Sequence, residues 1–235
     1  MARLVDVGGW QGDIEQFVLA QLPTSPVRVL EVGCGEGYLA AAMSQAGHDV
    51  LAVDPRAPEG AIFRQLKLED VDEEAGPFDY IVGILALHHI HDLGAAVDKI
   101  ARMLKPEGAL VLAEFGWDRF DEATARWCLE RLPPARSEDD VGWLQRCCGE
   151  WAAAIAAGEE LAIADHCRHW AGEEGLHSSA AMVTELERRF RAQLFEWVPY
   201  LYPDLDEETS ADVEQAAIEA GAITATGFRY VGTRL

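Results

Sequence analysis

The 235-residue sequence is poor in basic residues, with 19 Lys and Arg against 41 Asp and Glu and a formal net charge of −22. A surface this acidic repels phosphate backbones and anionic lipid headgroups, so we expect neither a nucleic-acid partner nor a membrane partner. The sequence also lacks any apolar run near the ~20 residues that a membrane helix needs. Because Asp6 follows so soon after the first residue, we expect no secretory signal.

Cysteine is scarce and unsuited to a disulfide framework. The five cysteines are an odd number and form no C-x-x-C pair, and two of them are adjacent: Cys34, Cys128, Cys147, Cys148 and Cys167. Thiols in this pattern are typical of a reducing compartment. We therefore expect reduced cysteines and a cytoplasmic protein.

The first half of the chain alternates short apolar runs with helical patterns. Nearly half of the residues (49%) are hydrophobic, which is enough for one sizeable core. We predict strands over 27–32, 48–54, 61–66, 78–87 and 109–115, with helices over 38–46 and 93–104. Strands that alternate with helices predict a parallel sheet covered on both faces.

From residue 117 to about residue 220 the pattern becomes helical. The spacing of Leu186, Phe190, Leu194 and Val198 predicts an amphipathic helix. The chain then closes with two predicted strands, 223–226 and 228–233, on either side of Gly227. A helical insertion this long usually serves a site, and its aromatic content suits an apolar or cationic substrate.

A glycine-rich loop follows the first predicted strand and opens a helix. Its sequence runs from Glu31 to Gly37 as E-V-G-C-G-E-G. Glycines allow sharp turns and close approach of the backbone to a ligand, so we expect Gly35 to stand where a side chain would collide with backbone or cofactor. The third glycine comes one residue too early for a dinucleotide fingerprint. The acid at Glu31 disfavours a pyrophosphate and favours an amino-bearing ligand.

Asp54 ends the second predicted strand, about twenty residues after the loop. A carboxylate there can accept hydrogen bonds from both ribose hydroxyls of a nucleoside, and ligands of such sheets sit at the carboxyl ends of the strands. The alternatives are that the loop is a plain strand–helix turn, that Asp54 caps a helix, and that Cys34 is a small packed side chain.

Four segments together resemble the class I S-adenosylmethionine-dependent methyltransferases. They are 29–37, 53–55, 78–82 leading into 87–90, and 104–110, and the resemblance covers residues 27–115 well. It implies S-adenosyl-L-methionine as the cofactor, with the glycines facing its methionine part, Glu31 near its amino end and Asp54 on its ribose. The acid that often meets the adenine amino group is replaced by Lys67, so Glu69 or backbone groups are left for that contact. The resemblance therefore implies a cofactor-binding set of Glu31, Gly33, Cys34, Gly35, Gly37, Asp54, Leu68 and Glu69.

The resemblance also places the loop after the fourth strand beside the transferred methyl group. His88 in that loop and Glu114 at the end of the fifth strand are the titratable residues expected nearest to it, and either could act as a general base. A metal site at His88, His89 and His91 with Asp92 is the alternative. We expect no metal, because three histidines in one short loop lack a distant partner.

The fold expected from these patterns is an α/β, Rossmann-like, mostly parallel seven-stranded sheet with helices on both faces and a helical lid insertion before the last two strands. We expect a single methyltransferase-like domain over 1–235. It would comprise a cofactor-binding core (1–116), a helical lid that lines the substrate pocket (117–205), and a closing helix and strands (206–235).

The expected function is methyl transfer from S-adenosylmethionine to a small-molecule acceptor, by a monomer or a homodimer. The alternatives are a non-catalytic S-adenosylmethionine-binding or regulatory protein and an NAD-dependent oxidoreductase. Mass spectrometry of a co-purified ligand would separate nicotinamide from S-adenosyl species, and a lid packed solid over the loop would favour the non-catalytic protein.

Overall fold

The computed structural model describes residues 8–134 and 142–235. The described strands are β1 (Arg28–Val32), β2 (Asp49–Val53), β3 (Phe63–Arg64), β4 (Phe78–Ile84), β5 (Leu104–Phe115), β6 (Phe190–Val198) and β7 (Gly227–Arg234). The described helices are α1 (Gly8–Gln21), α2 (Tyr38–Gln45), α3 (Leu93–Met103), α4 (Glu122–Leu129), α5 (Trp143–Ala156), α6 (Ile163–Glu173), α7 (Ser179–Glu187) and α8 (Ala211–Glu219). The sequence patterns predicted β1 to β5, α2 and α3, and missed α1.

The strands form one sheet in the order β3-β2-β1-β4-β5-β7-β6. β1 pairs in parallel with β2 on one side and with β4 on the other, and β4 pairs in parallel with β5. Val29 and Leu30 of β1 are fully buried, as expected for a central strand covered on both faces. Strand order reverses between β1 and β4, so the carboxyl ends of these strands flank the position where such sheets bind ligands.

The other end of the sheet is antiparallel. The N–H of Leu235, just after β7, donates to the carbonyl of Arg189, just before β6, over 2.9 Å. The N–H of Gly116 after β5 donates to the carbonyl of Thr226 before β7 over 2.7 Å. Each of these hydrogen bonds joins the end of one strand to the start of the neighbouring strand, so the two strands run in opposite directions. The predicted fold class, a mostly parallel seven-stranded α/β sheet, is confirmed.

The predicted amphipathic helix through Leu186 and Val198 is wrong. α7 ends at Glu187, and β6 begins at Phe190 and forms the edge of the sheet. A spacing of four residues fits both periods, because positions i and i+4 share a face in a strand as well as in a helix. Phe190 is buried and Leu194 is half-buried, whereas the residues between them are exposed.

The predicted strand over 223–226 is also wrong. The structure has no strand at these residues, and the last pair of strands is β6 with β7. Thr224 forms hydrogen bonds with side chains rather than with the backbone of a neighbouring strand. Its N–H donates to Thr124 Oγ1 over 3.0 Å, and its hydroxyl donates to Asp121 over 2.6 Å.

The chain divides into two compact units. The sheet unit comprises Asp13–Glu114, His177–Glu196 and Phe228–Leu235, and the helical unit comprises the described residues of Met1–Gly12, Phe115–Leu176 and Trp197–Gly227. The helical unit has its own buried cluster, which includes Phe120, Leu144, Trp151, Leu201 and four cysteines. All five cysteines are free and buried. Across 8–134 and 142–235, no helix combines the length and apolarity needed to cross a membrane.

Candidate cofactor and acceptor site

The glycine loop after β1 is held against the end of β2. The N–H groups of Gly33 and Cys34 both donate to the carbonyl of Val53, over 2.8 and 3.2 Å. Gly33 and Gly37 have left-handed backbones, with φ of 75° and 79°. A Cβ at Gly33 would stand 2.7 Å from that of Ala86, and one at Gly37 would stand 2.5 Å from the Phe63 ring. The loop therefore requires glycine at both positions.

Gly35 and Asp54 face each other across this edge of the sheet. The Gly35 N–H donates to Asp54 Oδ2 over 3.2 Å, and the N–H of Arg56 donates to Oδ1 over 2.7 Å. Of the two collisions expected for a Gly35 side chain, the one with protein backbone is wrong, because no described protein atom beyond its two chain neighbours lies within 4 Å of the position its Cβ would occupy. The collision with the cofactor stays a prediction. Its left-handed φ of 50° still favours glycine. The loop thus leaves an open cradle beside Asp54.

Glu31 of β1 brings a carboxyl group without a full set of partners into the same region. Its side chain is only 3% exposed, and Oε2 has no hydrogen-bond partner. The hydroxyl of Tyr38 at the start of α2 is likewise buried and unpartnered. Burial raises the pKa of Glu31 to about 8, with a further contribution from Asp54, while a backbone hydrogen bond from Ala40 lowers it. A cationic ligand group would stabilise the ionised form.

Cys34 is buried inside the glycine loop, with its Sγ 3.9 Å from the Gly35 carbonyl. Burial, together with the charges of Glu31 and Asp54, raises the pKa of the thiol to about 12. The thiol is therefore protonated at neutral pH, which suits a small packed side chain and opposes a nucleophile.

Leu68 and Glu69, which the resemblance includes in the cofactor-binding set, lie in a short 3₁₀ turn over Leu68–Asp70. Leu68 is buried and Glu69 is exposed. Lys99 of α3 donates to the carbonyl of Glu69 over 2.7 Å. In this turn Leu68 supplies an apolar side chain, and the carbonyl of Glu69 is already hydrogen-bonded to a lysine.

His88 and Glu114 are brought together as a buried pair. Nδ1 of His88 lies 2.6 Å from Glu114 Oε2, and the two residues are 5% and 1% exposed. Glu114 Oε1 accepts the N–H groups of Ala86 and Leu87 over 2.9 and 2.6 Å. The Glu114 carboxyl group is therefore hydrogen-bonded both to the His88 ring and to the backbone just before it. The sequence indicated both residues but not this contact.

Sequence reasoning missed two features of the loop over 85–90, which lies between β4 and α3. Leu85 has a left-handed φ of 51°, and its N–H donates to the carbonyl of Ala113 over 2.8 Å. His177 contacts the same loop through the carbonyls of His88 and Ile90. A hydrophobic pattern carries no sign of either feature, because both depend on contacts between distant residues.

An open groove of about 700 Å³ adjoins this loop in the sheet unit. Its lining includes His91, Asp92, Gly94, His177, Thr184 and Glu185. Asp92 caps α3 by accepting the Ala95 N–H, and Glu185 pairs with Arg188 and Arg189. Within residues 8–134 and 142–235, no group of three or more His, Cys, Asp or Glu could hold a metal ion.

The helical unit contains the aromatic residues expected of the insertion. Trp143 stacks on Trp170 with ring centroids 5.6 Å apart, and Phe115 stacks on Tyr200 at 4.5 Å. Glu214 of α8 is fully buried and accepts the N–H groups of residues 200–202 over 2.7–2.9 Å. Burial raises the pKa of Glu214, and these three donors lower it. This carboxyl group was not indicated by the sequence.

The comparisons with known proteins agree with this geometry. The sequence matches the family described as "Methyltransferase domain" over residues 9–174, and the chain therefore belongs to that family. A ubiquinone biosynthesis O-methyltransferase from Xylella fastidiosa is 35% identical over 112 residues, covering 41% of this chain and 45% of that protein. One from Rhodopseudomonas palustris (strain HaA2) is 25% identical over 174 residues, 68% of this chain and 60% of that protein. The chain spans about half the length of the curated relatives it matches.

Solved structures share the fold. An S-adenosylmethionine-dependent methyltransferase from Mesorhizobium loti superposes with a TM-score of 0.53 at 15% identity, covering 93% of this chain and 96% of that one. The N-methyltransferase NodS from Bradyrhizobium japonicum, in complex with S-adenosyl-L-homocysteine, gives 0.53 at 14% identity and covers 96% and 87%. The family match confirms the resemblance to methyltransferases seen in the sequence, and the solved structures confirm the fold.

Proposed function

We propose that this protein transfers a methyl group from S-adenosyl-L-methionine to a small-molecule acceptor, and that the acceptor atom is a hydroxyl oxygen. The observation that carries the proposal is the open cradle at Gly35, beside Asp54 and the unpartnered carboxyl oxygen of Glu31. Membership of the methyltransferase family supports the reaction type. The S-adenosylhomocysteine in the NodS structure supports the cofactor, and the O-methyltransferase relatives support the oxygen acceptor.

The residues at the carboxyl ends of β1 and β2 fit this cofactor. A buried carboxyl oxygen without a partner is costly, and an ammonium group would satisfy it, so Glu31 would hold the amino end of the cofactor. Asp54 would accept hydrogen bonds from the ribose hydroxyls. Leu68 would supply an apolar contact on the adenine side, together with backbone groups near Glu69. When bound, the cofactor supplies an electrophilic methyl group on a sulfonium sulfur.

His88 would take the proton from the acceptor hydroxyl. A carboxylate oxygen can only accept, so a neutral His88 ring that bonds to Glu114 Oε2 would carry its hydrogen on Nδ1 and its lone pair on Nε2. Nε2 would then accept the proton of the acceptor hydroxyl, and Glu114 would stabilise the resulting imidazolium. In this arrangement Glu114 is a positioning residue and His88 is the base.

The aromatic residues expected to contact the acceptor belong to the helical unit, which includes most of the expected lid over 117–205. Its partly exposed tryptophans offer flat apolar faces that suit a planar acceptor. We further propose that the protein works in the cytoplasm, which its five free cysteines support, and that its partners are confined to small molecules and a second copy of itself.

A screen of hydroxyl-bearing metabolites that follows S-adenosylhomocysteine release tests the proposal. We expect one chemical class to be methylated, and we expect His88→Ala to lower turnover by roughly 10²–10⁴-fold with little change in cofactor affinity. His169→Ala is the matched control, since this exposed histidine pairs with Glu173 on its own helix. Methylation of amines with no hydroxyl substrate would contradict the acceptor, and full turnover by His88→Ala would contradict the base.

A further inference from the structure

The loop over 85–90 is anchored at its first half by Glu114. The carboxyl group accepts from the backbones of Ala86 and Leu87 and contacts the ring of His88. These bonds fix where the loop leaves β4 and which way the His88 ring is turned. The carbonyls in the second half of the loop need hydrogen-bond donors from another part of the chain.

His177 satisfies two of those carbonyls. Its backbone N–H donates to the carbonyl of His88 over 2.9 Å, and its ring Nε2 lies 2.7 Å from the carbonyl of Ile90. A carbonyl oxygen can only accept, so Nε2 of His177 carries a hydrogen and donates. His177 lies just before Ser178, the N-cap of α7, and is separated from this loop by almost ninety residues, so these are tertiary contacts.

We propose that His177 is a positioning residue for methyl transfer, because it holds the second half of the loop and thereby the place of the His88 ring. This inference rests on the proposed function, in which His88 is the base. Glu114 and His177 then act as two anchors on either side of one catalytic side chain. A displacement of about 1 Å at such a group can cost up to about 100-fold in rate.

The backbone of Leu85 is the reason why the second anchor matters. Its left-handed φ of 51° is unfavourable for a leucine, and such conformations persist only where several contacts hold them. When the ring of His177 no longer donates to Ile90, the loop can relax toward an ordinary backbone conformation. That relaxation would shift His88 while Asp54 keeps its contacts with the backbones of Gly35 and Arg56.

Two substitutions at position 177 distinguish the effect of the hydrogen bond from the effect of side-chain volume. His177→Leu is similar in size but has no donor, whereas His177→Gln keeps an N–H donor on a side chain of similar reach. We expect His177→Leu to lower kcat by about 10- to 100-fold with little change in S-adenosylmethionine affinity, and His177→Gln to recover most of that loss. His169→Ala serves again as the control.

Amide hydrogen exchange gives a second readout that needs no acceptor. In His177→Leu we expect faster exchange at the amides of residues 86–90, while β1 keeps its protection and the melting temperature stays close to that of His177→Gln. Unchanged kcat and unchanged exchange in His177→Leu would overturn the inference. Equal losses in both variants would also overturn it, because the donor would then be irrelevant.

The two proposals fail in different ways. If the wild-type protein methylates no acceptor but its loop loosens in His177→Leu, the anchor exists and the proposed function is wrong. If the wild type is active and both His177 variants match the His169→Ala control, the function stands and the positioning role is wrong.

Discussion

The buried carboxyl group of Glu31 should make the ligand-free protein less stable as pH rises. Its pKa is raised from 4.5 to about 8, chiefly by burial. Between these two values the folded protein keeps a proton that the unfolded chain has already released. Unfolding therefore releases a proton, and each rise in pH favours it; below 4.5 the group has no effect, and above about 8 the full penalty is reached.

The size of the effect follows from the interval between the two pKa values. One pH unit within it changes the free energy of unfolding by about 1.4 kcal/mol. Between about pH 5.5 and about pH 7.5 the wild type should thus lose about 3 kcal/mol on account of Glu31 alone. Glu31→Gln has a similar shape and no proton to lose, so this part of the slope should vanish.

Urea unfolding at these two pH values measures the slope directly. Glu36→Gln is the matched control, because Glu36 lies in the same glycine loop but is exposed, and this substitution should keep the wild-type slope. We also expect Glu31→Gln to bind S-adenosylmethionine more weakly, since the ammonium group loses a charged partner. A slope in Glu31→Gln equal to that of the wild type would refute the reasoning.

Two further substitutions test the loop and the helical unit. Gly35→Val should leave the circular dichroism spectrum unchanged but abolish S-adenosylmethionine binding in calorimetry. The reason is that a branched side chain at φ 50° would enter the open cradle. Retained affinity would show that this space holds no ligand. Glu214→Ala removes the acceptor of three backbone N–H groups and should lower the free energy of unfolding by about 3 kcal/mol or more. Glu219 is exposed on the same helix, and Glu219→Ala should change this free energy little. Equal effects of the two substitutions would contradict the role of Glu214.

The central part of the fold could be predicted from the sequence because its signals are local. β1, the glycine loop and Asp54 are neighbours in sequence, and an apolar run that ends in glycines has few other structures open to it. β6 could not be predicted in this way, since Phe190, Leu194 and Val198 fit a helix and a strand equally well. Its pairing with β7, rather than its own pattern, determines its structure.

The candidate site also combines residues that a local pattern can identify with contacts that it cannot. Glu31 and Gly35 were identified from residue type and position, and the structure adds the burial and the open space on which their proposed roles depend. The bond between His88 and Glu114 joins residues that are 26 positions apart, and His177 reaches the loop from still farther along the chain. No local pattern encodes such contacts, because they arise only when the sheet and α7 have packed.

Calorimetric titration of the wild type and Asp54→Ala with S-adenosylmethionine tests the central claim most directly. Asp49→Ala is the control, because this exposed aspartate lies at the opposite end of the same strand. We predict that the wild type binds S-adenosylmethionine and not NADH, and that Asp54→Ala loses roughly 1.5–3 kcal/mol, about ten- to a hundredfold in affinity, while Asp49→Ala binds as the wild type does. Equal affinities for the wild type and Asp54→Ala, or binding of NADH in place of S-adenosylmethionine, would contradict the account.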